Sequence, residues 1–225
     1  MNNIYSSKVY ENKGNPDVLG EVPEYVKTIL DIGCGAGDNA KILKALGKTV
    51  VGLTISESEA KIAEAFCDRV IIDDIENISL LKDEKFDCIL MSHICEHLIN
   101  PEKVLINIGK YLNKNGRLII AVPNMAYYKL RFRLFKGDWK MEETGPFDRT
   151  HLHFYSYYSI DTLYSNSDYK VISKIPGDPS VPLFLFRRIF KKLAKKIDKH
   201  FGKRFPNLFS IQVVIVLEKI RNFKF

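Results

Sequence analysis

The chain has 225 residues, enough for one α/β domain with a small appendage and too few for two full enzyme domains. Its 46% hydrophobic and 27% charged residues exclude a disordered chain. The net charge of +7 raises a nucleic-acid partner, but nine basic residues and one acid lie between Arg187 and Arg204, so that block carries +8 and the rest −1.

No apolar run reaches the roughly 18 residues of a membrane span. Met1–Tyr5 lacks the charged and apolar regions of a secretion signal, so a cytoplasmic location is expected. Cys34, Cys67, Cys88 and Cys95 form no C-x-x-C pair, which argues for reduced thiols rather than a zinc ribbon or disulfide scaffold.

The first element is an apolar run, Thr28–Ile32, closed by glycines and expected to be a buried strand. Asp38–Leu46 has helical spacing and Gly47 stops it. Lys48–Ile55 is a second strand. Ser56 and Glu59 form a capping box that opens a helix to about Cys67. Arg69–Ile75 and Phe86–Met91 are further strands. Pro101, Val104, Leu105 and Ile108 mark a helix, and Asn115-Gly116 turns into a fifth strand, Arg117–Val122. This alternation implies a parallel sheet covered on both faces. Beyond Pro123 the pattern changes. Residues 124–155 hold an aromatic, basic stretch (Tyr127, Tyr128, Arg131, Arg133, Lys136) expected to form a lid over an acceptor site. Ser156–Ser165 is expected to be helical, Tyr169–Ile175 a strand, and Phe209–Leu217 the last strand.

The most informative segment is Asp31-Ile32-Gly33-Cys34-Gly35-Ala36-Gly37, a strand running into alternate glycines and then a helix. Glycine suits backbone that bends sharply or meets a ligand closely. A dinucleotide loop would need a third glycine or alanine where Asp38 stands, and a carboxylate there would repel a pyrophosphate. With this loop, Val50–Ser56, Val70–Glu76, Phe86–Met91 with Glu96-His97-Leu98, and Asn115–Asn124, the sequence resembles the class I S-adenosylmethionine-dependent methyltransferases over roughly residues 5 to 175.

The resemblance implies a Rossmann-like α/β fold. Its seven-stranded, mostly parallel sheet would carry helices on both faces and an antiparallel last strand, reached after a basic helical insertion. It implies one domain over 1–225 that binds S-adenosylmethionine. Gly33, Cys34, Gly35 and Gly37 would line the methionine and ribose, Asp31 would orient the amino group, and Asp74 and Ile75 would meet the adenine. Ser92 and His93 would lie near the methionine portion. Thr54, followed by Ile55, stands where such enzymes usually place an acid on the ribose hydroxyls; the cyclopropane-forming relatives share this Gly-Leu-Thr segment, and Glu57 is a candidate to help.

The sulfonium methyl is already activated, so the enzyme's task is alignment, plus a base where the acceptor is a hydroxyl. Ser92-His93-Ile94-Cys95 lacks the Asp/Asn-Pro-Pro-aromatic motif of exocyclic amine methylation. His97, His151 and His93 are the catalytic candidates, with His97 and His151 favoured as general base. Ubiquinone-pathway and small-RNA 2′-O-methyltransferases carry E-x-x-E-H here and bind a divalent metal. His93, Glu96, His97 and His151 or His153 could imitate that set, but metal dependence is not favoured and no ligand is assigned.

Residues 183–204 form the insertion. On a helical wheel Arg187, Arg188, Lys191, Lys192, Lys195, Lys196 and Lys199 fill one half. Phe186, Ile189, Phe190, Leu193, Ile197 and Phe201 fill the other. The favoured expectation is a helix packed by its apolar face with a solvated basic face; contact of 186–201 with an anionic membrane, or binding of a phosphorylated substrate, is the functional alternative. The expected activity is O-methylation of a small hydroxylated or phosphorylated acceptor, such as a sugar unit of a surface glycan. An RNA 2′-O-methyltransferase and a non-catalytic cofactor-binding scaffold are the alternatives.

Overall fold

The computed structural model describes residues 13–78, 81 and 83–220. The ends of the expected 1–225 domain, 1–12 and 221–225, lie outside the described residues. The strands are β1 (Thr28–Ile32), β2 (Thr49–Thr54), β3 (Arg69–Ile72), β4 (Phe86–Ser92), β5 (Leu112–Pro123), β6 (Tyr169–Pro179) and β7 (Ser210–Lys219). They form one sheet of order β3-β2-β1-β4-β5-β7-β6. The first five are parallel, and β7 runs antiparallel between β5 and β6. The fold is the expected seven-stranded Rossmann-like α/β sheet.

Alternation along the buried strands divides the core. Leu30, Ile32, Leu53, Met91 and Ile120 face one side, under helix α4 (Pro101–Ile108). Ile29, Val50, Leu90 and Ile119 face the other, under α1 (Pro16–Leu19), α2 (Asp38–Ala45) and α3 (Glu57–Ala63). Strand order reverses between β1 and β4, and such a switch point opens a crevice at the carboxyl ends of the strands.

Some elements are shorter than expected. β3 ends at Ile72, because Asp74 caps a 3₁₀ turn over Ile75–Asn77 by accepting from Glu76 N at 2.9 Å. The helix opened by Ser56 ends at Ala63, and the helical expectation over 156–165 is met by a 3₁₀ helix at Ser159–Leu163. Residues 124–155 contain helix α5 (Tyr128–Phe135), but its aromatic and basic residues stay off the cavity. Arg133 instead braces the loop that follows, bonding Asp138 and Glu142 and lying over the Phe147 ring at 4.6 Å. Thr144–Pro146, Asp148, His151 and Leu152 are the part of 124–155 that lines the cavity.

The insertion departs most from expectation. It is two helices, α6 (Phe184–Ile189) and α7 (Lys191–Arg204), broken at Phe190, and α8 (Pro206–Phe209) leads into β7. Ile189, Phe190 and Leu193 are 73%, 53% and 49% exposed, so this apolar face is not the packed one. α7 docks through Ala194, Asp198 and Gly202, spaced four apart on one stripe. A Cβ at Gly202 would stand 2.4 Å from Pro179, so glycine permits the close approach. The buried Asp198 accepts from Val181 N at 2.9 Å and from the Arg187 guanidinium. A packed carboxylate and two small residues leave the apolar side chains facing out.

Candidate active site

The carboxyl ends of β1, β2 and β4 open into a cavity of about 2210 Å³. After β1, Gly33 N and Cys34 N both donate to Leu53 O, at 2.8 and 3.1 Å, which folds the glycine loop across β2. Gly33 has φ +69°, and a Cβ there would collide with Ile94 at 1.9 Å. Gly33, Cys34 and Gly35 line the cavity, with Thr54, Ile55, Asp74, Ile75, Ser92, His93, His97 and His151.

Two expected cofactor residues lie behind that wall. Gly37, at φ +86°, is the N-cap of α2 and packs against α3. Asp31 is 1% exposed just behind the wall, beside Asn39, which does line the cavity, and neither carboxylate oxygen makes an aligned hydrogen bond among the described residues. Burial pushes its carboxyl up to about 7, and the neighbouring Asn39 side chain offsets little of that rise.

Glu59 was not singled out as a site residue. Thr54 Oγ1 donates to Glu59 Oε2 at 2.7 Å and accepts from Ser56 N at 3.1 Å. Glu59 is buried on the cavity wall beside Thr54, whereas Glu57 is exposed and off it. An acid thus reaches the place of the usual β2 carboxylate from the first turn of α3. The capping box was the available signal, because it placed Glu59 at the start of that helix.

After β4 the chain turns at His93, with φ +58°, into a 3₁₀ turn at Cys95–His97. Leu152 N and His153 N both donate to Glu96 O, at 2.7 and 3.1 Å, pinning the 150–153 segment to this turn. The pin brings Glu96, His97 and His151 together, with one donor atom of each within 4.8 Å of the others.

The hydrogen bonds set the imidazole protons. Thr150 Oγ1 donates to Asp148 Oδ1 at 2.6 Å, so its lone pairs accept from His97 Nδ1 at 2.9 Å. His97 Nε2 therefore carries the free lone pair. His151 Nδ1 donates to Pro146 O at 3.2 Å, which frees its Nε2 likewise. Burial pushes the His97 pKa down.

His93 is arranged differently. Gln212 Nε2 donates to Asn15 and Asp17, so its Oε1 accepts from His93 Nε2 at 3.0 Å. His93 Nδ1 lies 3.3 Å from Glu96 Oε1. Burial opposes its charge, but Glu96 and Gln212 hold its pKa above the ordinary value. The ring has no free lone pair for a proton, and it stands outside the Glu96–His97–His151 group. His153 stacks on Tyr155 and does not line the cavity.

The buried Glu96 carboxylate, with Oε1 facing His93 and Oε2 without a hydrogen-bond partner among the described residues, lies next to two imidazole lone pairs, a set that fits a divalent cation with mixed nitrogen and oxygen ligands. The bonds from Nδ1 to Thr150 and Pro146 supply the outer support that metal-binding histidines need.

A glycine loop at the switch point, an acid on the β2 side and Asp74 at the β3 end define a class I methyltransferase fold. The match to known structures agrees. An S-adenosylmethionine-dependent methyltransferase from Archaeoglobus fulgidus superposes with TM-score 0.63, covering 87% of each chain at 19% identity. One from Listeria monocytogenes gives 0.61, covering 91% of this chain and 96% of that one at 18% identity. The family described as "Methyltransferase domain" matches residues 7–174, and the chain belongs to it. A ubiquinone biosynthesis O-methyltransferase of Pelagibacter ubique is 36% identical over 115 residues, 49% of this chain and 48% of the relative. One from Maricaulis maris is 29% identical over 128 residues, 54% and 50% of the two chains. The chain thus spans about half the length of these curated relatives.

Proposed function

We propose that the protein is an S-adenosylmethionine-dependent O-methyltransferase acting on a small hydroxylated acceptor, such as a sugar unit destined for a surface glycan. The carrying observation is the pair of imidazole lone pairs, His97 Nε2 and His151 Nε2, on the wall of the cavity that holds the glycine loop. A hydroxyl acceptor needs such a proton-accepting group, because its own pKa is far above neutral. The O-methyltransferase names of the curated relatives support the same chemistry.

Gly33, Cys34 and Gly35 cradle the methionine and ribose, Thr54 with Glu59 holds the ribose hydroxyls, and Asp74 with Ile75 meets the adenine. The acceptor oxygen attacks the methyl carbon in line with sulfur. A C–O bond forms, the C–S bond breaks, and its electron pair neutralises the sulfonium. The proton passes to His97, where the Thr150–Asp148 chain stabilises the imidazolium, or to His151. With a divalent cation held by Glu96 and by these same two Nε2 lone pairs, neither histidine would serve as the base; the ion would instead lower the pKa of the acceptor hydroxyl so that its proton leaves to solvent. His93, tied to Gln212 and Glu96, orients the turn.

Among the described residues no helix is long and apolar enough to cross a membrane. Peripheral contact of 186–201 with an anionic membrane belongs to the same proposal, supported by the exposure of Ile189, Phe190 and Leu193. An RNA acceptor has weaker support, because the cations of the cavity wall come from one insertion rather than a broad track.

The test is methyl transfer from radiolabelled cofactor to nucleotide sugars, phosphosugars, quinol precursors and RNA, with calorimetry of S-adenosylhomocysteine binding alongside. Transfer to a hydroxyl, lost in His97→Asn or His151→Asn with cofactor binding kept, is expected. Absence of cofactor binding overturns the reading.

A further inference from the structure

Every lysine and arginine on the cavity wall comes from α6 and α7: Arg187, Arg188, Lys191, Lys195, Lys199 and Lys203. The acids on the same wall are spread more widely: Asp38, Glu59 and Asp74 lie around the expected cofactor place, while Asp178 and Asp198 stand beside Arg187. The cations are therefore gathered on one side of the cavity and the acids are not.

Arg187 is engaged by Asp198 and by Val181 O at 3.0 Å. The other five form no ion pair with an acid among the described residues. Lys191, Lys195, Lys199 and Lys203 recur every fourth residue, a row with a rise of about 6 Å per step. Like charges in a row repel one another and are relieved by an anion that bridges them. The orientation is specific: Lys192 and Lys196, on the same helix, do not line the cavity. The four lysines of the row are solvent-exposed as well as cavity-lining, so the row is open to a ligand entering from solvent.

We propose that the methyl acceptor carries a phosphate or diphosphate group, seated on the inward lysine row of α7, with its reacting hydroxyl at the Glu96–His97–His151 end of the cavity. This deepens, and rests on, the methyl-transfer reading. Lysine supplies point charge without a fixed fork, so the row holds the anionic group while the hydroxyl is aligned elsewhere. The group can come from a soluble nucleotide-linked unit or from a lipid-linked diphosphate, which share this chemistry.

The test uses the full chain. Calorimetry with inorganic pyrophosphate and uridine diphosphate compares the native protein, the inward variant Lys191→Ala/Lys195→Ala/Lys199→Ala and the outward variant Lys192→Ala/Lys196→Ala. Pyrophosphate affinity is expected to fall tenfold or more in the inward variant and less than twofold in the outward one. S-adenosylhomocysteine affinity should stay within twofold in both. Should the inward variant not fold, Lys195→Gln and Lys199→Gln singly carry the comparison. Saturable uridine diphosphate binding indicates the soluble source. Sedimentation with vesicles carrying an isoprenyl diphosphate, beyond that with phosphatidylglycerol vesicles alone, lost in the inward variant and kept in the outward one, indicates the lipid-linked source. No saturable pyrophosphate binding, or equal loss in both variants, overturns the proposal. Pyrophosphate binding requires no methyl transfer, so anion binding without turnover would instead count against the methyl-transfer reading.

Discussion

Thr54 and Glu59 form a buried pair, with Thr54 Oγ1 donating to Glu59 Oε2 at 2.7 Å on the cavity wall. The strand contributes a hydroxyl and the following helix the carboxylate, so two elements together present what a single acidic strand end presents elsewhere. Hydrogen bonds to a charged group are worth roughly 1.5–3 kcal/mol, and each 1.4 kcal/mol is tenfold in affinity. Glu59→Ala is therefore expected to weaken S-adenosylhomocysteine binding about tenfold or more, and Glu59→Gln less. Calorimetry checks this, with Glu57→Ala as the silent control.

Asp31 makes stability and cofactor affinity depend on pH. Its folded pKa of about 7 lies above the model-compound value of 3.8. Below the lower value both states are protonated. Between the two the unfolded chain releases a proton that the folded chain keeps, so apo-protein stability falls as pH rises through this window. Above the folded value the loss is complete and constant. The melting temperature of Asp31→Asn, relative to native protein, should therefore rise from pH 4 to pH 7 and then level.

Cofactor binding should show the reverse sign. On the proposed cofactor placement the ammonium comes to the glycine loop in front of Asp31 and favours its carboxylate, so binding below pH 7 would release a proton and strengthen as pH rises toward 7. Calorimetry at pH 6 in two buffers of different ionisation enthalpy reads the proton directly. Asp31→Asn should abolish that release.

The Glu96–His97–His151 group predicts sensitivity to metal. Exhaustive chelation should reduce methyl transfer, and restoring a divalent cation should recover it. Glu96→Gln, His97→Asn and His151→Asn should each lower metal affinity at least tenfold, measured by metal analysis of the purified protein. Full activity after chelation would leave His97 and His151 as bases alone.

Asp198 anchors the insertion from a buried position, while its partner Arg187 is 39% exposed at the side chain. Solvent screening at Arg187 moderates the pair, so Asp198→Asn should cost about 1–3 kcal/mol. The loss should appear as faster amide exchange over 181–204 with the central strands unchanged.

The sheet and the glycine turn after β1 were legible in the sequence because strand, glycine turn and helix are local signals. Thr28–Gly33 and the Ser56 capping box lie within a few residues of the features they specify. Glu59 shows the limit: the capping box named it, but its place on the cavity wall depends on how α3 leans over β2. The break at Phe190 was hidden because the amphipathic period continues on both sides and neither proline nor glycine marks it. The docking face of α7 was misread for another reason. Apolar residues were assigned to the core, whereas the stripe that packs is Ala194, Asp198 and Gly202, made of small volume and one satisfied carboxylate. The grouping of Glu96 with His151 depends on backbone bonds between segments more than fifty residues apart, which spacing does not reveal.

The basic wall also bears on how such a protein changes its acceptor. The cofactor end is assembled from turns after several strands, so altering it disturbs many elements together. The inward lysine row belongs to one continuous stretch between β6 and β7, fastened by Asp198. On the proposal that this row seats the acceptor's anionic group, exchanging the stretch for another of matching ends would change the choice of acceptor while leaving methyl donation intact.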